Sequence, residues 1–193
     1  MDLVGMLREQ AARTSEMVGN VRPDQLGLRT PCPGYDVRGL INHLCLFSDW
    51  CARLAAGEHA LPDNETDFVG DDPAGAYDRW KDAMVDACSA PRLSERIVHT
   101  PKGDYPGAVA IALGLMDTVV HRWDLARALG VDPDIPHDVA EATLAQLEAI
   151  ITDEMRAPAP DETTGDLIFG PRVDLGPDAS AVDRLVAFLG RKP

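Results

Sequence analysis

The chain has 193 residues, a length that fits one globular domain with a sizeable hydrophobic core. Its 18 lysines and arginines stand against 32 aspartates and glutamates, which gives a formal net charge of −14. Nucleic-acid affinity comes largely from basic side chains that displace counterions, so this balance argues against a nucleic-acid partner. It argues against binding to an anionic membrane surface for the same reason.

The sequence also carries information about its compartment. No apolar run approaches the roughly 20 residues that cross a bilayer, and the start, MDLVGMLREQ, lacks the basic and apolar regions of a signal peptide. The four cysteines form no C-x-x-C pair, which disfavours a zinc ribbon or a thioredoxin-type motif. We therefore expect a cytoplasmic protein with reduced, partly buried thiols.

Apolar residues at helical spacing predict most of the secondary structure. The predicted helices cover residues 3–21, 37–56, 76–90, 107–129 and 137–155, with a short last helix near 180–189. Asp36 stands where an N-cap belongs, and Gly57 and Gly130 stand where helices end. Residues 58–72 and 91–106 are predicted to be loops, because the first stretch is polar and acidic and the second contains prolines and a glycine.

The C-terminal part differs from the rest in composition and in predicted secondary structure. After the prolines at 158 and 160, residues 167–169 and 172–175 are predicted to be two short strands around a turn. The whole pattern predicts a mainly α fold, with a four-helix bundle and a fifth helix over residues 1–157. Residues 158–193 are predicted to form a small α/β tail, a hairpin and a helix, packed on that bundle.

Two of the predicted helices carry polar residues among apolar ones. Asp117 and His121 are four residues apart on the fourth helix, so they project from one face. Burying them costs several kcal/mol unless a partner is present. Gly114 is expected to leave open space beside the pair. His43 lies on the second helix on a stripe shared with Phe47 and Trp50, and it also needs a partner in the bundle core.

Two imidazoles and one carboxylate suit a divalent metal ion, with Zn²⁺ the first choice and Ni²⁺ or Fe²⁺ as alternatives. Such a set leaves open coordination positions, as catalytic sites require. The alternative is that Asp117 and His121 are an ordinary hydrogen-bonded helix pair and that His43 is a half-buried histidine with its own partner. The residue pattern alone leaves both interpretations open.

Other candidate residues are expected to have more modest roles. Asp124 is expected to accept a hydrogen bond from a ligating histidine, with a bond that ties neighbouring loops as the alternative. Trp123 is expected to pack in the core, and Cys32, between prolines, indicates a structural turn. The remaining candidates are His59 and His99, expected to be solvated, His137 at a helix start, and Arg122 and Arg191, which are candidates for binding an anionic substrate.

The run Thr30-Pro-Cys-Pro-Gly-Tyr-Asp-Val-Arg-Gly-Leu-Ile-Asn-His43-Leu resembles a signature of the DinB/YfiT-like superfamily. In particular it resembles the branch typified by mycothiol-dependent maleylpyruvate isomerase. The runs from Asp117 to Gly130 and from Asp183 to Pro193 are similar to the same branch, so the resemblance spans nearly the whole chain. It implies a four-helix bundle whose metal ligands are His43, Asp117 and His121.

The resemblance also implies an activity. A mycothiol-like thiol bound at the metal would lose its proton, which suits a metal- and thiol-dependent S-transferase or isomerase acting on small electrophiles. The departures are Asp117, where the isomerase has glutamate, and a tail after about residue 157 too short for the isomerase's large C-terminal domain. The alternatives are a non-catalytic metal-binding sensor or interaction module, or a metal-dependent hydrolase. A homodimer is left open.

Overall fold

The computed structural model describes residues 2–58, 66–100, 103–158 and 169–193. The predicted mainly α fold is confirmed. The helices are α1 (Leu3–Gly19), α2 (Val37–Ala56), α3 (Pro73–Cys88), α4 (Ala108–Leu129), α5 (His137–Ile150) and α6 (Ala181–Phe188), and the strands are β1 (Ile97–Thr100) and β2 (Gly103–Pro106). Within the described ranges, no helix has the length and apolar character that crossing a bilayer requires.

Local capping signals fix the ends of the two helices that matter most for the site. The carboxylate of Asp36 accepts a hydrogen bond from the backbone N–H of Gly39 at 2.7 Å, which satisfies a donor in the first turn of α2. Gly57 ends α2 with φ +93° and Gly130 ends α4 with φ +70°, a left-handed conformation that favours glycine. The predicted bounds of α2 and α4 therefore agree with the structure within one residue.

The other helix ends deviate more from the prediction. Helix α3 begins at Pro73 rather than at residue 76, because proline is tolerated in the first turn, where its missing N–H has no helical partner. Helix α5 ends at Ile150, and residues 153–155 form a separate 3-10 turn rather than a continuation of the helix.

Helix α4 lies at the centre of the packing, as predicted. Every residue from 114 to 126 is buried, so this helix has no solvent face over its middle three turns. It contacts α1, α2, α3 and α5, while α6 packs on α5. Polar side chains in the middle of α4 are therefore surrounded by protein on every side and must find partners there.

The expected open space beside Gly114 is absent. A Cβ built on Gly114 would lie 3.0 Å from Sδ of Met84 and 3.7 Å from Cδ1 of Leu7. Leu7 belongs to α1 and Met84 to α3, so the missing side chain allows both helices to pack closely against α4. The expectation was wrong because neighbouring helices fill the space that a glycine leaves.

The stretch over residues 91–106 contains a hairpin that the sequence did not predict. β1 and β2 pair antiparallel, from Ile97 opposite Pro106 to Thr100 opposite Gly103. Val98 is buried while Ile97 is exposed, which is the alternation of a half-buried strand. The loop prediction was wrong here because prolines and a glycine dominate the local signal, whereas strand formation depends on a pairing partner.

The predicted C-terminal hairpin is not found in the described part of the tail. Residues 172–175 form no strand, and residues 167 and 168 lie outside the described residues. Phe169 makes a single parallel bridge with Arg156 instead. The guanidinium of Arg156 also donates to the carbonyl oxygen of Phe188 at 2.7 Å and lies over its ring at 4.6 Å from the centroid. These contacts hold the end of α6 against the segment after α5.

We expect substitutions at two glycines to separate conformational strain from steric strain. Gly57 and Gly190 both have positive φ (+93° and +88°), but a Cβ meets nothing within 4 Å at Gly57, whereas at Gly190 it lies 3.0 Å from Cα of Gly170. Gly57→Ala should lower the free energy of unfolding by about 1 kcal/mol and Gly190→Ala by about 2–4 kcal/mol. Urea denaturation measures both values, and equal losses would contradict the packing around Gly190.

Candidate functional site

The three residues predicted as one set lie close together where α2 faces α4. Nε2 of His43 is 3.2 Å from Oδ1 of Asp117, and Nε2 of His121 is 3.3 Å from the same oxygen. The imidazole centroids are 4.8 Å apart with nearly perpendicular planes. Each of the three side chains offers one ligand atom, and these atoms all lie within 4.8 Å of one another. The two helices thus bring two imidazoles and one carboxylate to a common point.

The three side chains of the site differ in how far they are buried. The exposed fraction of the side chain is 5% for Asp117, 10% for His121 and 21% for His43, so His43 is the member that solvent reaches best. The rings of Tyr35 and Phe47 flank His43, with centroids 5.3 Å and 5.9 Å from its imidazole. An aromatic rim therefore surrounds the accessible edge of the site.

The electrostatics of the site favour positive charge next to Asp117. Burial raises the pKa of Asp117, but the neighbouring His121 and His43 outweigh it and lower that pKa to about 2. Burial lowers the pKa of His121, but Asp117 and Asp124 outweigh it and raise that pKa to about 9. Two buried carboxylates thus stabilise a cation on or beside the His121 imidazole.

Asp124 connects this cluster to the C-terminus. Nδ1 of His121 lies 2.9 Å from Oδ2 of Asp124, as predicted for the partner of this histidine. Arg191 approaches the same carboxylate with two nitrogens, Nη2 at 2.9 Å and Nε at 3.3 Å. Burial raises the pKa of Asp124, but Arg191 and His121 outweigh it and lower that pKa. Asp124 thus makes the expected contact with His121 and also ties a distant segment to α4, while its role behind a metal ligand stays a prediction.

Cys32, His121 and Asp124 form a second group whose ligand atoms lie within 4.8 Å of one another. Nη2 of Arg191 lies 3.6 Å from Sγ of Cys32 and already binds Asp124, so its positive charge opposes a metal ion at this point. Burial raises the pKa of the Cys32 thiol to about 12 despite the opposing effect of Arg191. Since only the thiolate binds metals well, the His43 group is the better cation site.

The remaining histidines lie elsewhere. His99 is exposed on β1 with Nδ1 2.7 Å from Oδ1 of Asp104, and His137 is the exposed first residue of α5, as predicted. His59 lies outside the described residues. Trp123 is buried, which confirms its packing role. Arg122 belongs to a different region, because it donates to Gln10 on α1 rather than to the cluster.

Two contacts of the site were not predicted. Oη of Tyr35 lies 3.5 Å from Nδ1 of His43, and Arg191, considered only as an anion-binding residue, pairs instead with Asp124. Tyr35 belongs to the Pro-Gly turn before α2. This turn is a local sequence signal, and it indicated that Tyr35 lies next to the start of the helix. No local pattern in the sequence indicated the contact of Arg191 with Asp124, because the two residues are 67 positions apart and meet only through the packing of α6.

We expect a double-mutant cycle to show strong coupling between Asp124 and Arg191. Both side chains are buried (0% and 12% exposed), so removing one partner leaves the other charge unpaired in the protein interior. The coupling free energy from urea denaturation of Asp124→Ala, Arg191→Ala and the double variant should be about 2 kcal/mol or more. The exposed Arg38–Asp67 pair is the matched control and should give less than about 1 kcal/mol. Equal coupling in the two cycles would rule out a tight buried pair.

Comparison with known proteins identifies similar chains. The family model described as the mycothiol maleylpyruvate isomerase N-terminal domain matches residues 7–126. Two uncharacterized proteins of Mycobacterium tuberculosis, from strains CDC 1551 and H37Rv, are each 30% identical over 178 residues, which is 91% of this chain and 90% of theirs.

Two solved structures share the fold. The crystal structure of a mutant of the mycothiol-dependent maleylpyruvate isomerase has a TM-score of 0.58 at 17% identity, and that of the isomerase itself has a TM-score of 0.54 at 18% identity. In both cases the similarity covers 75% of this chain and 67% of the other. At this identity the similarity concerns the helical architecture.

Proposed function

The chain belongs to the mycothiol maleylpyruvate isomerase N-terminal domain family, and on that premise we propose a metal- and thiol-dependent activity on small electrophiles. In this proposal His43, Asp117 and His121 hold one divalent metal ion. The co-substrate is a low-molecular-weight thiol such as mycothiol, and the reaction is an isomerization or an S-transfer. The family and the shared fold support the thiol chemistry, and the donor cluster supports the metal.

The observation that carries the proposal is the spacing of the donor atoms. Ligands about 2.0–2.1 Å from a tetrahedral metal ion lie roughly 3.3 Å from one another. The Asp117 oxygen lies 3.2 Å and 3.3 Å from the two imidazole nitrogens, so two of the three donor pairs already have this spacing, and all three donor atoms lie within 4.8 Å of one another. The two nitrogens and one oxygen suit Zn²⁺ first and also Ni²⁺ or Fe²⁺.

The shorter carboxylate fits this arrangement. Aspartate lacks one methylene of the glutamate implied by the family resemblance, so it requires the two helices to approach closely. Oδ1 of Asp117 nevertheless reaches both His43 and His121. The reach of Asp117 to both imidazoles supports the assignment of aspartate as the carboxylate ligand.

A bound divalent ion would act as a Lewis acid that lowers the pKa of a thiol coordinated to it. The protein's own residues would position the reactants. Asp124 fixes the orientation of His121 through Nδ1, and Arg191 neutralises the carboxylate of Asp124. Tyr35 and Phe47 form the rim through which a thiol and its electrophile would approach His43.

The exposure of the site supports a catalytic role over a purely structural one. A structural metal site is closed by its protein ligands, whereas a catalytic site keeps an open position. In the described parts of the chain, three protein donors converge here, and His43 remains partly accessible. A non-catalytic sensor or interaction module and a metal-dependent hydrolase are the alternatives that the activity measurement distinguishes.

We expect metal affinity to fall in a graded series of variants. His121→Ala and Asp117→Asn each remove a proposed ligand and should lose nearly all bound metal. Asp124→Asn removes only the acceptor behind His121, so its affinity should fall about 10–100-fold. Elemental analysis after dialysis against Zn²⁺ buffers of defined free concentration measures the series. His99→Ala is the control and should bind as the wild type does, since His99 lies on the exposed hairpin. Unchanged metal content in His121→Ala would refute the ligand set.

We expect the metal-loaded protein to consume mycothiol or convert an electrophile in its presence. The assay combines mycothiol with maleylpyruvate and with a panel of small electrophiles, and product formation is followed by mass spectrometry. Activity should disappear with a chelator and in His43→Ala. Turnover that needs the metal but no thiol would favour the hydrolase. Metal binding without turnover of any compound in the panel would favour the sensor or interaction module.

A further inference from the structure

A groove on another part of the molecule lies between the second half of α1, the turn that follows it and the connection between α4 and α5. Its volume is about 420 Å³, which is within the range of pockets that bind small organic ligands. We call it the arginine groove, because its lining includes Arg13, Arg22 and Arg122. None of the residues of the His43–Asp117–His121 cluster lines it.

Arg122 is a buried cation that has only neutral acceptors. The exposed fraction of the residue is 1%. Nη2 donates to Oε1 of Gln10 at 2.5 Å and to the carbonyl of Asp134 at 3.3 Å, and Nη1 donates to the carbonyl of Gln10 at 3.4 Å. Among the ion pairs of the described residues, none involves Arg122, although a buried charge normally has a charged partner.

The guanidinium remains charged in this environment. An arginine guanidinium is protonated at neutral pH even where burial lowers its pKa, as it does here. The groove therefore has a permanent positive charge at the point where Arg122 lines it.

Two buried donors, one on Arg122 and one on its partner Gln10 behind the groove, have no acceptor among the described residues. Nε of Arg122 and Nε2 of Gln10 are both buried and have no hydrogen-bond partner among the residues that the structure describes. The oxygen of the same Gln10 amide accepts a hydrogen bond from Arg122. The two unpaired donors therefore belong to one hydrogen-bonded pair of side chains. Buried donors are nearly always paired in folded proteins. Arg122 is the member of this pair that lines the groove, so an acceptor bound there would lie beside its unused donor.

The other arginines of the groove already have partners. Arg13 pairs with Glu9 at 2.9 Å and with Asp134, and Arg22 pairs with Asp24 at 3.0 Å. The lining also contains two carboxylates, those of Glu16 and Asp134, so its guanidiniums outnumber its carboxylates. The positive charge without a carboxylate partner is that of Arg122.

One wall of the groove is apolar. It is formed by Met17, Leu129, Val131 and Pro133. Val131 is 52% exposed, so it presents a large apolar side chain to solvent next to the charged end. A ligand with a hydrocarbon part would cover this surface, which an inorganic ion would not.

We propose that the arginine groove binds a small organic anion. Its oxyanion group, a carboxylate or a phosphate, accepts hydrogen bonds from the Arg122 guanidinium, which suits planar oxyanions especially well. Its hydrocarbon part lies against Leu129 and Val131. This site is independent of the proposed metal chemistry, because it lies on a different face of α4.

Isothermal titration calorimetry with three matched six-carbon probes tests the proposal. Hexanoate and hexyl phosphate carry the two oxyanion groups, and hexan-1-ol has the same chain without charge. At least one of the two anions should bind saturably, and the alcohol should bind at least about tenfold more weakly. The preferred anion identifies the oxyanion group. Equal binding of the alcohol, or no binding of either anion, would overturn the proposal.

Variants locate the binding site. Arg122→Gln should weaken binding of the preferred anion by about tenfold or more, whereas Arg53→Gln, an arginine outside the groove, should leave it unchanged. If Arg122→Gln does not fold, Val131→Glu provides the test, because it places a negative charge at an exposed position of the groove. Val131→Glu should abolish binding, and its uncharged partner Val131→Gln should retain most of it.

A last variant separates this site from the metal cluster. His43→Ala removes a proposed metal ligand and should leave the affinity for the preferred anion unchanged. Loss of anion binding in His43→Ala with retention in Val131→Glu would place the anion at the metal cluster and overturn the proposal. The anion titrations use no metal and no thiol. Their result therefore does not depend on whether His43, Asp117 and His121 bind a metal ion.

Discussion

The carboxylate of Asp117 is the group on which the arrangement of the site depends. It lies in the middle of α4, a helix that is buried on all sides over three turns, and water cannot stabilise its charge there. A buried charge without a partner costs several kcal/mol, so the fold has to supply positive charge at this point. His121 supplies it from the same helix and His43 from α2, both within about one hydrogen-bond length of a single oxygen.

The residues around the cluster are also arranged so that each buried charge lies next to an opposite charge. His121 contacts Asp124 with its other nitrogen, Asp124 is itself buried, and Arg191 balances that second carboxylate. The chain reaches this position because Gly190 adopts a left-handed conformation close to the backbone of Gly170. The last residues of the protein are thus part of the electrostatic environment of α4, and altering them should change the centre of the bundle as well as its surface.

Neighbouring residues of α4 point toward different parts of the molecule, because a helix turns by about 100° per residue. His121 faces α2 and the proposed metal site, while Arg122 faces α1 and the arginine groove. Both are charged or polar groups buried in one helix. The charge at His121 is balanced by two carboxylates within the chain, whereas the charge at Arg122 has only neutral partners. This difference explains why we assign an external anion to the second region only.

The sequence by itself determined the helices and their ends where the signals are local. Apolar periodicity and the caps at Asp36, Gly57 and Gly130 depend on neighbours within one or two turns, so α2 and α4 were predicted within a residue. The hairpin over residues 97–106 was missed because strands depend on pairing rather than on composition. The sequence also indicated that His43, Asp117 and His121 need polar partners among apolar neighbours.

Only the tertiary structure decided which partners these groups have. His43 and Asp117 are 74 positions apart, and Asp124 and Arg191 are 67 positions apart, so their distances depend on how whole helices pack. No periodicity or spacing along the chain contains that information, because helix packing is set by many side chains at once. The Asp/His spacing on α4 could be predicted, since a single helix fixes it. The contact of Arg191 with Asp124 and the lack of a charged partner for Arg122 could not, since both arise where separate elements meet.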